Sequence, residues 1–188
     1  VGISPTIAMM AKKVIVELNE ALPKSIRGMH DLYIPNDPPC RREIPIYKAS
    51  DRIGTPILKV DPAKIVGIVK SNAKDGVGGF AELDETTMLI GQNVCNFLLN
   101  ELRAGRLPKT FLPMQSGVGN VANAVLHGLG EVDEIPQFEM YTEVIQDSVV
   151  DLMKKGKCRF ASSCSMTFSD AMMDEVLANM DFFGDKII

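Results

Sequence analysis

Gln-Ser-Gly-Val-Gly-Asn-Val-Ala-Asn-Ala-Val-Leu, from Gln115 to Leu126, and Tyr-Thr-Glu-Val-Ile-Gln-Asp, from Tyr141 to Asp147, decide how this chain is read. The first stretch is a glycine loop that opens a helix. The second closes an alternating apolar run, Gln137 to Thr142, on the carboxylate of Glu143. Alternation with period two marks a strand, and recurrence every three to four residues marks a helix, so loop, helix and strand follow one another here.

Working outward, the same order repeats. Thr110 to Gln115 reads as a short strand, although Pro113 is an awkward member. Ser116 to Asn120 is the loop, and Val121 to Leu129 a helix stopped near Gly128 and Gly130. Asp147 to Lys155 is an amphipathic helix with Gly156 just past its end. Lys157 to Ser162 is a strand. Ser169 or Asp170 caps a helix running through Met180, and Ile187-Ile188 begins another strand. Strand and helix alternating in this way predict an α/β fold, an open and mostly parallel sheet flanked by helices. In such sheets ligands lie outside the carboxyl ends of the strands, where both the loop and Glu143 fall.

Upstream, Asp84 to Arg103 is the clearest helix. Asp84 or Thr86 is available as its cap, Met88, Leu89, Val94, Leu98, Leu99 and Leu102 form its apolar face, and Gly105 stands past its end. Cys95 lies near that face and reads as core. Thr6 to Lys13 is helix-compatible and Val14 to Asn19 is a strand. Ala21 to Tyr47 is a proline-rich loop holding His30-Asp31, whose histidine reads as a surface or hydrogen-bonded residue rather than half of a triad. Asp51 to Pro56 is a turn. Ile57 to Val60 and Ile65 to Val69 are strands separated by Asp61-Pro62. The glycine-rich segment Ser71 to Phe80 is the best linker, so a boundary divides residues 1–80 from 81–188.

Of the 188 residues 46% are hydrophobic and 23% charged, enough apolar material for a core without disulfides or metal. The net charge of -4 carries no nucleic-acid footprint, and no apolar run has the length of a membrane span. The start has no basic n-region before an apolar stretch, so no signal peptide is expected. Cys40, Cys95, Cys158 and Cys164 contain no C-x-x-C pair, and with only His30 and His127 beside them no metal site is expected. The thiols read as free and mostly buried. A first residue other than Met and a last strand cut at Lys-Ile-Ile read as a piece of a longer protein.

Three readings of the glycine loop compete. Gly117-x-Gly119-x-x-Ala122 between a strand and a helix, with Glu139 twenty-two residues after Gly117, matches the permissive dinucleotide fingerprint. The glycines could equally make a tight turn for packing. In the third reading, backbone N–H groups of Val118 and Gly119 at the helix start hold a developing oxyanion, and Glu143 is a covalent nucleophile toward an activated acyl group.

The two motifs, Gln115 to Val125 and Tyr141 to Asp147, closely resemble the acetyl-CoA hydrolase/transferase family of class I CoA-transferases, with succinyl-CoA:acetate CoA-transferase the nearest type. Gly28-Met29-His30-Asp31, the turn at Asp51 to Pro56 and Arg159-Phe160-Ala161-Ser162 resemble it too, so the likeness covers essentially the whole chain. It implies a CoA-transferase-like fold with parts of two similar domains, the end of the first in residues 1–80 and the start of the second, with the nucleophile, in 81–188. It implies coenzyme A transfer between a short-chain acyl-CoA and a carboxylate through acyl-glutamyl anhydride and glutamyl-CoA intermediates. Glu143 would be the nucleophile, Val118 with Gly119 the oxyanion region, and Gln115, Gly117, Asn120 and Asn123 substrate-binding neighbours. Coenzyme A enters as substrate and product. The resemblance implies no metal, nucleic-acid or membrane partner, a homodimer at full length, and a cytoplasmic or, in a eukaryote, mitochondrial-matrix location. Acetyl-CoA hydrolysis at the same site and a non-catalytic CoA- or dinucleotide-binding module are the alternatives.

Overall fold

The β-branched run Val14–Asn19 and the run Ile65–Ser71 both form strands, β1 and β2, and they pair in parallel. In this computed structural model, which describes residues 3–74 and 83–188, they follow a short helix, α1 (Ser4–Met10), and form a two-stranded sheet. The expected strand over residues 57–60 is absent. After Thr55 bridges Leu32 the chain passes Pro56 and runs on as irregular backbone to a 3-10 turn, Pro62–Lys64, capped by Asp61. Apolar content alone makes that segment look like a strand, and among the described residues it has no ladder partner. The linker placed at 71–80, with its boundary at 80/81, falls largely at residues 75–82, outside the described residues.

The second half is built as the alternation predicts. Asp84 Oδ1 accepts from Thr87 N–H at 2.7 Å and starts α2 (Glu85–Arg103). The buried stripe of α2 is Gly91, Cys95 and Leu99, with Val94, Leu98 and Leu102 half-buried beside it, so the expected face holds along the later turns while Met88 and Leu89 at the start are exposed. The reason is the close approach of α3 (Asn120–Glu131). A Cβ on Gly91 would lie 2.6 Å from the Ala124 carbonyl carbon, and one on Gly128 would lie 2.6 Å from Cys95 Sγ. Small residues at both crossings let the two backbones meet, and bulk at 88 and 89 has no place in that contact.

Next come β3 (Phe138–Ile145), α4 (Asp147–Lys154), β4 (Cys158–Met166), α5 (Asp170–Ala178) and the single turn α6 (Met180–Phe183). β3 and β4 pair in parallel, Thr142 opposite Ser163. The two flanking strands expected at 110–115 and 187–188 reduce to isolated parallel bridges, Met114 to Met140 and Ala161 to Ile187. Phe111, at φ +57°, and Pro113 keep the first from growing. The resulting order, Met114, β3, β4, Ile187, is parallel throughout.

In β3 the residues Phe138, Met140, Thr142 and Val144 are buried, alternating with Glu139, Tyr141 and Glu143. On α4 Val149, Val150, Leu152 and Met153 are all buried. They join Leu126, Leu129, Ile135, Phe168, Val176 and Phe183 in one core. Met29, from the proline-rich loop, belongs to the same core, so the first half reaches across the sheet. Cys95 and Cys158 are buried; Cys40 and Cys164 are exposed, so only half of the thiols are interior.

Candidate active site

The glycine loop is fastened on both sides of Glu143, to β3 before it and to the N-cap of α4 after it. Ser116 N–H donates to Thr142 Oγ1 at 3.1 Å, and Thr142 Oγ1 donates to Ser116 O at 2.8 Å. Farther along, Gln146 Nε2 donates to Gly117 O at 2.8 Å. Thr142 precedes Glu143 by one residue and Gln146 follows it by three. Both are buried polar residues, a combination that stands out because a buried polar group must be hydrogen-bonded.

Gly119 is the N-cap of α3 at φ +124°, ψ 173°, a conformation closed to residues with a side chain. A Cβ there would meet nothing, so backbone conformation rather than space demands the glycine. Its carbonyl accepts from Asn123 N–H at 3.0 Å, while the first N–H groups of α3 lack intrahelical partners and α3 has no side-chain cap. Val118 is exposed beside it. This leaves open backbone donors at the positive end of a helix, the arrangement that stabilises an oxyanion.

Glu143 lies within β3, two residues before its end at Ile145, not at the strand end itself. Its side chain is exposed, and its carboxylate has no hydrogen bond or ion pair among the described residues. Its backbone is held, because Ser163 Oγ lies 2.8 Å from both Glu143 O and Ser165 O. Strand alternation puts Glu143 on the face shared with Tyr141 and Ile145, opposite Thr142. Along that face runs a cleft of about 680 Å³, lined by Tyr141 and Ile145, by Ser162 to Met166 of β4, and by Met29 to Leu32 of the proline-rich loop. The cleft brings the β4 serines and the first-half loop together at one end of the sheet, while Glu143 and the glycine loop lie outside its lining.

The remaining predicted site residues are dispersed around the loop. Gln115 is exposed before it, and Asn120 is half-buried at the first position of α3. Asn123 Oδ1 accepts from Ser148 Oγ at 2.8 Å, which ties α3 to α4. Glu139, the acid of the dinucleotide reading, is paired with Arg159 at 2.6 Å. Among the described residues no group of three or more His, Cys, Asp or Glu is placed to hold a metal, and no helix is long and apolar enough to cross a membrane.

Sequence reasoning left three fastenings unassigned. Thr142 and Gln146 sat inside the quoted heptapeptide, and polarity within a run of buried neighbours was the available signal. The third is Asp31. Its carboxylate accepts from Ile53 N–H at 2.9 Å and Gly54 N–H at 2.7 Å, while Arg52 Nη1 donates to Gly28 O at 3.0 Å. Asp31 thus holds the Asp51–Pro56 turn against the loop that lines the cleft, and His30 beside it is exposed.

Residues 1–70 match the acetyl-CoA hydrolase/transferase N-terminal domain. Over its whole length the chain is 43% identical to propanoyl-CoA:succinate CoA transferase of Escherichia coli, covering 38% of that protein. It is likewise 43% identical to succinyl-CoA:acetate CoA-transferase of Clostridium kluyveri, covering 35%, and 40% identical to an acetyl-CoA hydrolase of Schizosaccharomyces pombe, covering 36%. The chain thus spans little more than a third of the length of these relatives. Its fold resembles RipA from Yersinia pestis (TM-score 0.58, 16% identity, 92% of this chain and 33% of that one). It also resembles a 4-hydroxybutyrate CoA-transferase from Porphyromonas gingivalis (TM-score 0.53, 17% identity, 90% and 35%). Identity along the whole of this chain, the matched domain and the shared fold agree: this chain is similar throughout to the acetyl-CoA hydrolase/transferase family.

Proposed function

We propose that the protein carrying this chain transfers coenzyme A between a short-chain acyl-CoA and a carboxylate, with Glu143 as the nucleophile and the Val118 and Gly119 amides as oxyanion donors. The observation that carries the reading is the double fastening of the glycine loop around Glu143, to Thr142 of β3 and to Gln146 at the start of α4. It ties the donor loop to the stretch of backbone that carries Glu143. Domain assignment follows the same reading, with residues 1–80 ending one CoA-transferase domain and 81–188 beginning the next.

The chemistry balances without ATP or metal. The Glu143 carboxylate attacks the thioester carbonyl, the C–S bond breaks, and an acyl-glutamyl anhydride and CoA thiolate result. The thiolate attacks the glutamyl carbonyl, releasing the first carboxylate and leaving glutamyl-CoA. An acceptor carboxylate attacks that thioester to form a new anhydride and free the thiolate. Attack of the thiolate on the acyl carbonyl then yields the new acyl-CoA and restores Glu143. Every step passes through a tetrahedral oxyanion, and one preorganised donor is worth roughly 3 kcal/mol there. Exclusion of water keeps the glutamyl thioester from hydrolysis. The name acetyl-CoA hydrolase among the relatives supports a second outcome at the same site, water replacing the acceptor carboxylate.

The test is covalent capture. The full-length protein is incubated with acyl-CoA, reduced with borohydride and mapped by mass spectrometry. Reduction of the glutamyl thioester at Glu143 is expected, together with loss of acyl exchange in Glu143→Ala. An unmodified Glu143 and an active alanine variant would overturn the mechanism.

A further inference from the structure

The peptide that joins Gly117 to Val118 carries the proposed oxyanion donor on one edge and a buried hydrogen bond on the other. Its carbonyl accepts from Gln146 Nε2 at 2.8 Å. In a trans peptide the C=O and N–H point in opposite directions. Fixing the carbonyl on Gln146, which is 1% exposed, therefore turns the Val118 N–H away from the interior, toward the side where Val118 itself is 60% exposed.

That constraint is needed locally. Gly117 precedes Val118 and Gly119 follows it, and a Cβ at either glycine would meet nothing. Apart from Gln146, the only side-chain hydrogen bond to this peptide among the described residues is a long one from Ser116 Oγ to Gly117 O, 3.4 Å and exposed, and the glycines leave its dihedrals soft. Gln146, by contrast, is anchored. Its own carbonyl accepts from Val149 N–H at 2.9 Å at the start of α4, a helix with four buried side chains. Gln146 is the N-cap of α4 but makes no capping bond with its side chain, which is instead spent on the loop. Its Oε1 is buried and has no partner among the described residues, an unmet polar atom that a leucine of similar size would not carry. The residue suits the loop better than it suits the core.

We infer that Gln146 is a positioning residue of this site: its amide locks the Gly117–Val118 peptide so that the Val118 N–H faces the reacting carbonyl oxygen. A bond donated to the carbonyl also polarises the same peptide and strengthens its N–H as a donor. The inference rests on the reading of Glu143 and Val118 given above.

The test uses the full-length enzyme with Gln146→Met and Gln146→Leu, both of which keep bulk and remove the donor. Each is assayed with acetyl-CoA and with its dithioester analogue, in which sulfur replaces the carbonyl oxygen and accepts hydrogen bonds poorly. The expected result is a kcat for acetyl-CoA lowered about ten- to a hundredfold, less than a whole donor is worth. KM should hold, and the loss should be clearly smaller with the dithioester. Glu143→Ala in parallel separates the two claims. If it is inactive while the Gln146 variants keep wild-type kcat, or lose equally on both substrates, the positioning role alone falls. If Glu143→Ala remains active, the underlying site and this role fall together. If neither Gln146 variant folds, the residue is a core element and the role is likewise overturned.

Discussion

β1–β2 and β3–β4 are both parallel pairs of apolar strands, yet they stand in opposite surroundings. No residue of β1 or β2 is buried, and Ile15, Val66, Ile68 and Val69 are more than half exposed. In β3, Met140 and Ile145 are wholly inaccessible, and in β4 Ala161 is. The ladder hydrogen bonds are of one kind, so what separates the pairs is cover. Parallel strands are ordinarily buried on both faces. β3–β4 has α3, α4 and the Met29 loop against it, and the site grows at the end of that covered pair. Rigidity where the chemistry is proposed comes from packing beneath the sheet more than from the sheet itself.

The comparison is open to direct attack in the 188-residue chain. Leu129→Ala on α3, at a fully buried position, is expected to cost about 3 kcal/mol, against within about 0.5 kcal/mol for Ile68→Ala on β2. Urea unfolding of both variants checks this, and similar costs would remove the contrast. Two glycines sharpen it. Gly91→Val drives a side chain into the Ala124 backbone and should cost roughly 2 kcal/mol. Gly67→Ala, where a Cβ meets nothing, should be neutral or stabilise by about 0.5 kcal/mol. A smaller effect is expected at the start of α5, where Ser169 Oγ accepts from Met172 N–H and donates to Asp147. Ser169→Ala should lower stability by about 1 kcal/mol, read from the same unfolding curves.

The smallest effect is that of pH. Arg106 holds the Glu101 carboxyl below its ordinary value of 4.5, as Lys155 does for Glu131 and Arg103 for Glu134. A depressed carboxyl contributes stability that is fully present above pH 4.5 and lost as the pH falls through the lowered value. Melting temperature should therefore decline on acidification below pH 4.5, and the decline should shrink in about 1 M salt because these pairs lie at the surface. A melting temperature constant from neutral pH to acid would sink this expectation.

Much of the second half was legible in the sequence. Alternation gave β3, and the Asp84 cap with the Arg103 end gave α2 almost to the residue. Residues 57–60 misled because apolar content says nothing of a partner strand. Residues 110–115 fell short because Phe111 takes a left-handed turn. On α2 only Met88 and Leu89 fell outside the buried stripe, because the Gly91–Ala124 approach depends on a separate helix. At the site, loop and carboxylate could be named from their motifs. Their fastening could not, since Gln146 to Gly117 and Asp31 to Gly54 are contacts across 29 and 23 residues that no local pattern encodes.

The tight crossing of α2 and α3 has one more consequence, for labelling. It seals Cys95, whose thiol burial pushes up, while burial in β4 pushes Cys158 up to about 12. Thiol reagents are thereby confined to Cys40 and Cys164, and Cys164 lines the cleft next to Ser163. With Cys40 replaced by serine, a single fluorophore on Cys164 would report directly on what enters that cleft.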